Sequence, residues 1–299
     1  MKQGILITAF NEFALLTKLI NCFDDDFSLF IFLDKKSKFS RSEVDLLSKS
    51  KNVVFLTQEF NVNWGSYKQL KSRLVLAEEA VKYADLEYFH FITGQDYPLK
   101  SCAYIKDFLT QNKGKEFLQN SELPLKGWAG NGGFDRINYY HLHDYIDCRS
   151  WIGKRLNRES VRFQKALRIF RKTPPDFPKL FGGSPFWTLS YPCLKFVIDF
   201  TKENPKFLKR FEFCHSVTEI YFHTIIMNSP FKDHVVNRNY RYIDYELRGK
   251  AKNIFPTTIL DDSDYERLLN TDALFGRKFS YQISNHLIQR IDKELLNLF

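Results

Sequence analysis

The N-terminal third of the chain contains short, unbroken apolar runs that alternate with segments of helical periodicity. Such runs are typical of strands buried on both faces, and their separation by helices indicates a mostly parallel sheet. We therefore predict an α/β fold with a Rossmann-like central sheet and helices on both faces. The predicted strands cover residues 4–9, 27–33, 53–56 and 88–93.

Two acidic residues follow predicted strands. Asp34 ends the second apolar run, and Asp96 comes three residues after the fourth. Ligands of parallel α/β sheets bind at the carboxyl ends of the strands. Asp34 and Asp96 are therefore candidates for a ligand-binding site.

The rest of the chain has no repeat and no linker long enough to separate independent domains. Residues 113–182 are the least regular part, with a Gly-rich stretch at 127–133 and a His-containing aromatic segment at 139–145. Regular elements return near residue 186 and continue to a terminal helix. We predict a single domain spanning residues 1–299.

The net charge of +9 is concentrated in residues 149–172, which contain nine basic side chains and a single acid, Glu159. Apolar residues interleave with the basic ones over residues 156–170. A basic amphipathic helix of this kind predicts contact with an anionic membrane surface. An exposed helix whose apolar face packs on the core is an equal alternative. Nucleic-acid binding is a further alternative, but the sequence has no RRM, KH, helix-turn-helix or zinc signature, so no nucleic-acid partner is expected.

Compartment is indicated by the cysteines and by the start of the chain. The five cysteines are scattered and form no CxxC pair, which favours a reducing compartment. The opening residues MKQGILITAF lack a leader-like apolar region, and no apolar run approaches the ~20 residues that span a bilayer. We expect a cytoplasmic protein, peripheral at the inner face of the membrane.

Two segments contain closely spaced aspartates that could bind a divalent metal ion, but neither segment directly follows a predicted strand. Residues 24–26 (DDD) lie in a polar turn before the second strand, and residues 262–264 (DSD) lie at a helix start, where acids are favoured by capping and by the dipole. Both are interpreted as structural, and we expect no metal and no other cofactor.

Two adjacent cations, Arg277 and Lys278, lie inside an apolar segment. Fixed cations can replace a metal ion in stabilising a departing diphosphate, Arg by bidentate contacts and Lys as a point charge. The alternative for these residues is a solvated pair at a helix end.

Eight segments in the same order resemble the core-2/I-branching β-1,6-N-acetylglucosaminyltransferase and peptide O-xylosyltransferase family, glycosyltransferase family 14. The most specific segment is GQDYPLKS at 94–101, and together the eight extend over nearly the whole chain. They cover residues 5–11, 32–37, 63–66, 91–101, 183–187, 216–219, 241–245 and 274–279.

The resemblance implies a GT-A-like fold and an inverting, metal-independent sugar transfer. A UDP-sugar, with GlcNAc or xylose as the sugar, would be the donor, and a glycan or lipid-linked glycan hydroxyl the acceptor. Surface polysaccharide or glycoconjugate synthesis would be the setting. Residues 1–112 would form the nucleotide-sugar-binding half, and residues 113–299 the acceptor and catalytic half.

The resemblance also implies roles for individual residues. Glu219 matches the catalytic base, which takes the proton of the acceptor hydroxyl. The donor-binding residues are Asp34, Arg277, Lys278, Trp64 and Ala9, and the acceptor-binding residues are Asp96, Tyr245 and Arg136.

The sequence departs from the family pattern in three places. Phe10-Asn11 replaces a His after the first strand, Thr218 replaces an Asp before the catalytic Glu, and Tyr245 replaces a Trp. These departures concern the identity of donor and acceptor more than the reaction type.

Glu219 has a structural alternative, because Ser216-x-x-Glu219 has the spacing of a helix capping box. A carboxylate-based glycoside hydrolase is a further alternative for the whole protein. It would need a second acid beside Glu219, and none is clearly placed.

Overall fold

The computed structural model describes residues 1–245, 257–296 and 298 of the 299-residue chain. Their contacts define two compact units, each built from more than one segment of the chain. The first unit comprises Met1–Glu59, Tyr83–Gly114 and Asn239–Phe299, and the second comprises Phe60–Lys82 and Lys115–Arg238. The single domain with halves at 1–112 and 113–299 stays a prediction.

The main sheet of the first unit consists of four strands in the order β3-β2-β1-β4, and each neighbouring pair is parallel. Its strands are β1 (Lys2–Ala9), β2 (Phe27–Leu33), β3 (Val53–Thr57) and β4 (Leu86–Thr93). The four apolar runs of the sequence are these four strands, so the predicted α/β class with its parallel sheet is confirmed.

The strand order places a topological switch point beside β1. The chain builds β2 and β3 on one side of β1 and then returns to place β4 on the other side. Connections diverge at such a point and leave a crevice at the carboxyl ends of the strands, where ligands bind. The interior of β1 is fully buried at Ile5, Leu6 and Ile7, as expected for a central strand.

A smaller sheet in the first unit joins segments that are distant in the sequence. It has the order β5-β10-β9, with β5 at Asp96–Pro98, β9 at Arg241–Ile243 and β10 at Phe275–Arg277. β10 runs antiparallel to β5 and parallel to β9. The helices of this unit are α1 (Phe13–Asn21), α2 (Arg41–Ser48), α4 (Cys102–Gln111), α11 (Tyr265–Leu269) and α12 (Tyr281–Glu294), with a 3-10 helix at Asp262–Asp264.

The second unit contains three strands in the order β7-β6-β8: β6 (Glu116–Glu122), β7 (Phe181–Ser190) and β8 (Val235–Val236). β6 is antiparallel to β7 and parallel to β8. Its helices are α3 (Tyr67–Ala80), α5 (Ala129–Gly132), α6 (Asp135–Asn138), α7 (Trp151–Ala166), α8 (Tyr191–Glu203), α9 (Pro205–Arg210) and α10 (Tyr221–Met227), with 3-10 helices at Val217–Glu219 and Lys232–His234.

Within residues 1–245 and 257–296, no helix combines the length and the apolar composition needed to cross a bilayer.

Candidate functional site

The carboxyl ends of β1 and β2 bring Ala9 and Asp34 next to each other in the first unit. Ala9 pairs with Leu33 in the parallel register, and the Asp34 backbone N–H donates to the Ala9 carbonyl at 2.9 Å. One carboxylate oxygen of Asp34 accepts from the backbone N–H of Lys36 at 2.9 Å, and the other lies 3.8 Å from the Lys36 ammonium. Asp34 is therefore held in place at the switch-point edge, where the sequence placed it.

The turn after β4 approaches the end of β1 closely at Gly94. Its backbone N–H donates to the Thr8 carbonyl at 3.0 Å, and a Cβ at Gly94 would lie 2.9 Å from the Ala9 Cβ. Glycine is required here because a larger residue would separate the two strand ends. The approach sets the start of β5, and hence the position of Asp96.

Asp96 and Arg277 form an ion pair across the small sheet. They are direct partners in the antiparallel register of β5 and β10, and Arg277 Nη1 lies 3.0 Å from Asp96 Oδ1. The other carboxylate oxygen of Asp96 accepts from the Thr93 backbone N–H at 2.6 Å. Asp96 is 1% exposed, and burial raises the pKa of its carboxyl although the Arg277 charge opposes that shift.

A second guanidinium, Arg241, belongs to the same cluster. It stands on β9 opposite Phe275 and lies over that ring, 4.5 Å from the ring centroid. Burial lowers the pKa of Arg241, and the nearby Asp96 carboxylate opposes that shift. The buried Asp96 carboxylate thus interacts with two guanidinium groups on this sheet.

Arg277 is not at a helix end, so the alternative of a solvated Arg-Lys pair there is wrong. It ends β10, its side chain is largely buried, and it is joined to Lys278 by a cis peptide bond. The Lys278 carbonyl accepts from the Leu260 backbone N–H at 2.8 Å. Arg277 is therefore the last residue of a strand, and Lys278 follows it directly.

In the second unit Glu219 is paired with Arg136. Arg136 Nη1 donates to Glu219 Oε2 at 2.5 Å, and the Glu219 side chain is 29% exposed. The guanidinium of Arg136 lies over the Trp128 ring, 3.8 Å from its centroid. A planar cation stacked on an indole has restricted freedom, so Arg136 holds the Glu219 carboxylate in one orientation.

The capping-box alternative for Glu219 is wrong. Ser216 has a left-handed backbone (φ 51) and its side chain makes no capping hydrogen bond. Residues 217–219 form a 3-10 turn rather than the first turn of an α-helix, and α10 begins only at Tyr221. The carboxylate of Glu219 is therefore engaged by Arg136 and not by a helix N-terminus.

Trp64 packs against a cluster of three histidines in the second unit. Its ring centroid is 5.5 Å from that of His215 and 6.2 Å from that of His143, and the His143 and His215 rings are stacked at 4.3 Å. His141 completes the cluster, 5.6 Å from His215. Burial lowers the pKa of His141 to about 4 and of His215 to about 2, so these imidazoles are neutral at physiological pH.

Backbone contacts tie this cluster to the segment that carries Glu219. The His215 backbone N–H donates to the Arg136 carbonyl at 2.9 Å, and the Ser216 backbone N–H donates to the Gly65 carbonyl at 2.8 Å. The His143 ring is hydrogen-bonded through Nδ1 to the Trp64 carbonyl at 3.0 Å. The positions of Trp64, Arg136 and Glu219 therefore depend on one another.

Tyr245 is exposed and is the last described residue before position 257, so its predicted acceptor contact stays a prediction. The acidic segments at 24–26 and 262–264 make contacts within the first unit. Lys106 pairs with Asp24 at 3.0 Å and with Asp26 at 2.6 Å, and the side chain of Asp261 caps the 3-10 helix of residues 262–264. In the described part of the chain, no three His, Cys, Asp or Glu side chains are arranged to hold a metal ion.

Sequence reasoning missed Trp128, Arg241 and the histidine cluster as parts of these sites. The His141-x-His143 spacing and the Gly-rich segment around Trp128 were the available signals. Neither signal points to its partner, because His215 and Glu219 lie more than seventy positions further along the chain. Arg241 carried no signal beyond its place in the resembling segment 241–245.

Comparison with known proteins gives matches over most of the chain. Residues 6–269 match the Core-2/I-Branching enzyme family. The chain is 22% identical to Xylosyltransferase 1 of Mus musculus, covering 97% of this chain and 30% of that protein. It is 22% identical to Xylosyltransferase oxt of Drosophila pseudoobscura pseudoobscura, covering 89% of this chain and 30% of that protein. It thus spans about a third of the length of the curated relatives that it matches.

Among solved structures, the chain resembles S. aureus TarS 1–349 in complex with UDP. The TM-score is 0.31 and the identity 18%, and the match covers 44% of this chain and 38% of that chain.

Proposed function

This chain belongs to the Core-2/I-branching enzyme family of glycosyltransferases, and we propose that it transfers a sugar from a UDP-sugar to a glycan hydroxyl. GlcNAc and xylose are the sugars proposed first, and xylose is the one named in its curated relatives. The observation that carries the proposal is the family match over residues 6–269. The contacts of Glu219 and Arg277 support it with chemistry suited to such a transfer.

We assign the proton transfer to Glu219. As the acceptor hydroxyl oxygen attacks the anomeric carbon, its proton passes to the Glu219 carboxylate, and the bond to the diphosphate breaks with its electron pair leaving on UDP. Attack from the face opposite the diphosphate inverts the anomeric centre. Arg136 supports this role by orienting the carboxylate through a 2.5 Å contact while part of the side chain stays open to solvent.

We assign the departing diphosphate to Arg277 and Lys278. Two fixed cations stabilise the charge that develops on the leaving oxygen, which is the task a metal ion performs in other transferases. Enzymes of this family are typically metal-independent and use UDP-sugar donors, and we extend both properties to this chain. Asp96 supports the assignment as a positioning residue, because it holds the Arg277 guanidinium from its buried side.

The remaining residues are assigned to the donor or to the acceptor. Asp34 and Ala9, at the ends of β2 and β1, are proposed to contact the uridine end of the donor, with Trp64 against the donor sugar. Arg136 and Tyr245 are proposed at the acceptor. A contact of Asp96 with the acceptor also stays a proposal.

Two measurements test the function. Melting temperature is recorded with a panel of nucleotide sugars in EDTA, and transfer is then assayed with the donor that stabilises most. UDP and one UDP-sugar should raise the melting temperature without added metal. Loss of transfer in EDTA with recovery on Mg²⁺ would contradict metal independence, and release of free sugar from glycans without a donor would indicate a hydrolase.

Glu219→Gln tests the base, with Glu203→Gln at the exposed end of α8 as the matched control. General-base catalysis typically contributes about 10²- to 10⁴-fold, so kcat should fall by that factor while UDP still stabilises the protein. The control should transfer at the wild-type rate. Full activity of Glu219→Gln would exclude Glu219 as the base.

A further inference from the structure

The helix α7 packs on its unit through polar and small side chains. Gly153 and Gln164 are the buried residues on this helix. Gln164 forms two hydrogen bonds with the Tyr140 backbone, at 2.8 and 2.9 Å, and Asn157 Oδ1 accepts from the Leu142 backbone N–H at 2.9 Å. Because residues 153, 157 and 164 recur at helical spacing, they define one inner face, and this face is polar.

The apolar side chains of α7 therefore point to solvent. Ile152, Leu156 and Phe163, with Leu167 at the C-cap of the helix, are 63%, 52%, 63% and 55% exposed. Their spacing of four, seven and four residues places them on one stripe. Trp151 at the start of the helix is 73% exposed. The alternative that this helix packs its apolar face on the core is wrong, because the stripe is more than half exposed and the hydrogen bonds of Asn157 and Gln164 turn a different, polar face inward.

A contiguous apolar stripe of this kind marks an interaction surface. A row of basic residues, Arg155, Arg158 and Arg162, runs along one flank of the stripe and is exposed. Glu159 is the one acid in residues 149–172, and it pairs with Arg158 and Arg162 at 3.1 and 3.0 Å. The surface is thus both apolar and strongly cationic.

We propose that α7 docks on an anionic lipid surface, with the stripe of Ile152, Leu156, Phe163 and Leu167 inserted at the headgroup boundary. The basic row then contacts lipid phosphates, and the helix lies in the plane of the membrane along its ~24 Å length. The polar inner face keeps α7 attached to its unit, so the docking surface is preformed and needs no folding on contact.

Charge and side-chain chemistry favour lipid over other occupants. A second copy would bring two segments of net charge +8 together, and their mutual repulsion opposes pairing. Nucleic acid would satisfy the basic row, but it offers no apolar phase for Ile152, Leu156 and Leu167. An anionic membrane satisfies both features at once.

Vesicle flotation tests the proposal with the full chain and without substrate, so its outcome does not depend on the transferase activity. Vesicles of phosphatidylcholine with one quarter phosphatidylglycerol should bind the protein, and pure phosphatidylcholine should bind it far more weakly. Binding should fall as salt is raised from 50 to 500 mM, because exposed charges are screened.

Two variants separate the stripe from the charge. Leu156→Gln with Phe163→Gln should lower the partition coefficient at least about tenfold, since two buried apolar side chains are lost. Arg155→Gln, Arg158→Gln and Arg162→Gln together should lower it on the order of 100-fold at low salt, because each cation contributes a factor of about five. The matched control, Lys202→Gln, Lys206→Gln and Lys209→Gln, removes the same charge from exposed positions on and beside α9 and should bind as wild type.

All substituted side chains are exposed, so circular dichroism and UDP stabilisation should be unchanged in every variant. Absence of binding to the anionic vesicles would overturn the proposal. So would an unchanged partition coefficient in the Leu156 and Phe163 variant, which would reduce the effect to adsorption by charge. Binding of RNA in place of vesicles, or a dimer that the same variant dissociates, would assign the surface to another occupant.

Discussion

Replacing Gly65 by alanine should unfold the second unit more easily and misplace the segment that carries Glu219. Gly65 has φ +73, a conformation that costs a residue with a Cβ about 1–2 kcal/mol. A Cβ here would also lie 2.7 Å from His215 Cδ2 and 3.1 Å from His143 Nδ1. Those rings are stacked within the cluster, so relief of the contacts requires movement of packed side chains.

The expected loss combines both effects. Overpacking a well-filled interior typically costs about 1–3 kcal/mol, which with the backbone cost gives a loss of about 2–5 kcal/mol for Gly65→Ala. Gly127→Ala is the matched control in the same unit, because Gly127 has φ +88 and nothing within 4 Å of its would-be Cβ. The control should lose only the backbone cost of about 1–2 kcal/mol.

The assay is the free energy of unfolding in urea, followed by circular dichroism, with transfer rate as a second readout. Gly65 accepts the Ser216 backbone N–H, three residues before Glu219, so kcat should fall in Gly65→Ala and not in Gly127→Ala. Equal stability losses in the two variants would refute the packing of Gly65 against the histidines. A normal kcat in a destabilised Gly65→Ala would refute the dependence of Glu219 on this contact.

Three further predictions concern the charged and titratable groups. Asp96→Asn should destabilise the protein by about 3 kcal/mol and weaken UDP binding, because it removes the carboxylate that pairs with the buried Arg277 charge. Urea unfolding and UDP titration compare this variant with the exposed control Asp107→Asn, and equal stability and UDP affinity of the two variants would contradict the prediction. Arg136→Lys should lower kcat at least about tenfold with little change in donor KM, since lysine keeps the charge but loses the planar group over the Trp128 ring. A wild-type kcat in this variant would count against the role of Arg136 in positioning Glu219. Acid should destabilise the fold between pH 6.5 and 4, because the unfolded chain takes up protons at the ordinary histidine pKa of 6.5 whereas burial lowers the pKa of His141 in the fold to about 4. The stability that neutral His141 contributes is complete above pH 6.5, and up to about 3 kcal/mol of it is lost by pH 4. His141→Gln should reduce the slope of unfolding free energy against pH over this range, and an unchanged slope would argue against the buried neutral histidine.

Local sequence determined the strands and the edge at which Asp34 stands. The side chains of an unbroken apolar run are all buried only when both faces of the strand are covered. β1, β2 and β4 could therefore be identified without knowledge of their neighbours. The carboxyl ends of parallel strands necessarily meet at one edge, which is why Asp34, directly after β2, could be located at that edge.

Contacts between distant segments were beyond local sequence. Arg136 and Glu219 are 83 positions apart, and Asp96 and Arg277 are 181 positions apart. Their pairing depends on strand register and on turns that no short segment determines. The capping-box interpretation of Glu219 failed for the same reason, because a left-handed Ser216, tied to Gly65 through its backbone, replaces the expected helix start.

The orientation of α7 shows which property of the helix its own sequence determines and which depends on the rest of the fold. Its composition determined that the helix would be basic and amphipathic, and it left open which face would be buried. Tertiary structure decided which face is buried, because Asn157 and Gln164 form hydrogen bonds with the backbone of residues 140–142. These hydrogen bonds turn the polar face of the helix inward. The periodicity of apolar residues shows that a helix has two faces, whereas the groups that each face can contact determine which face is exposed to solvent.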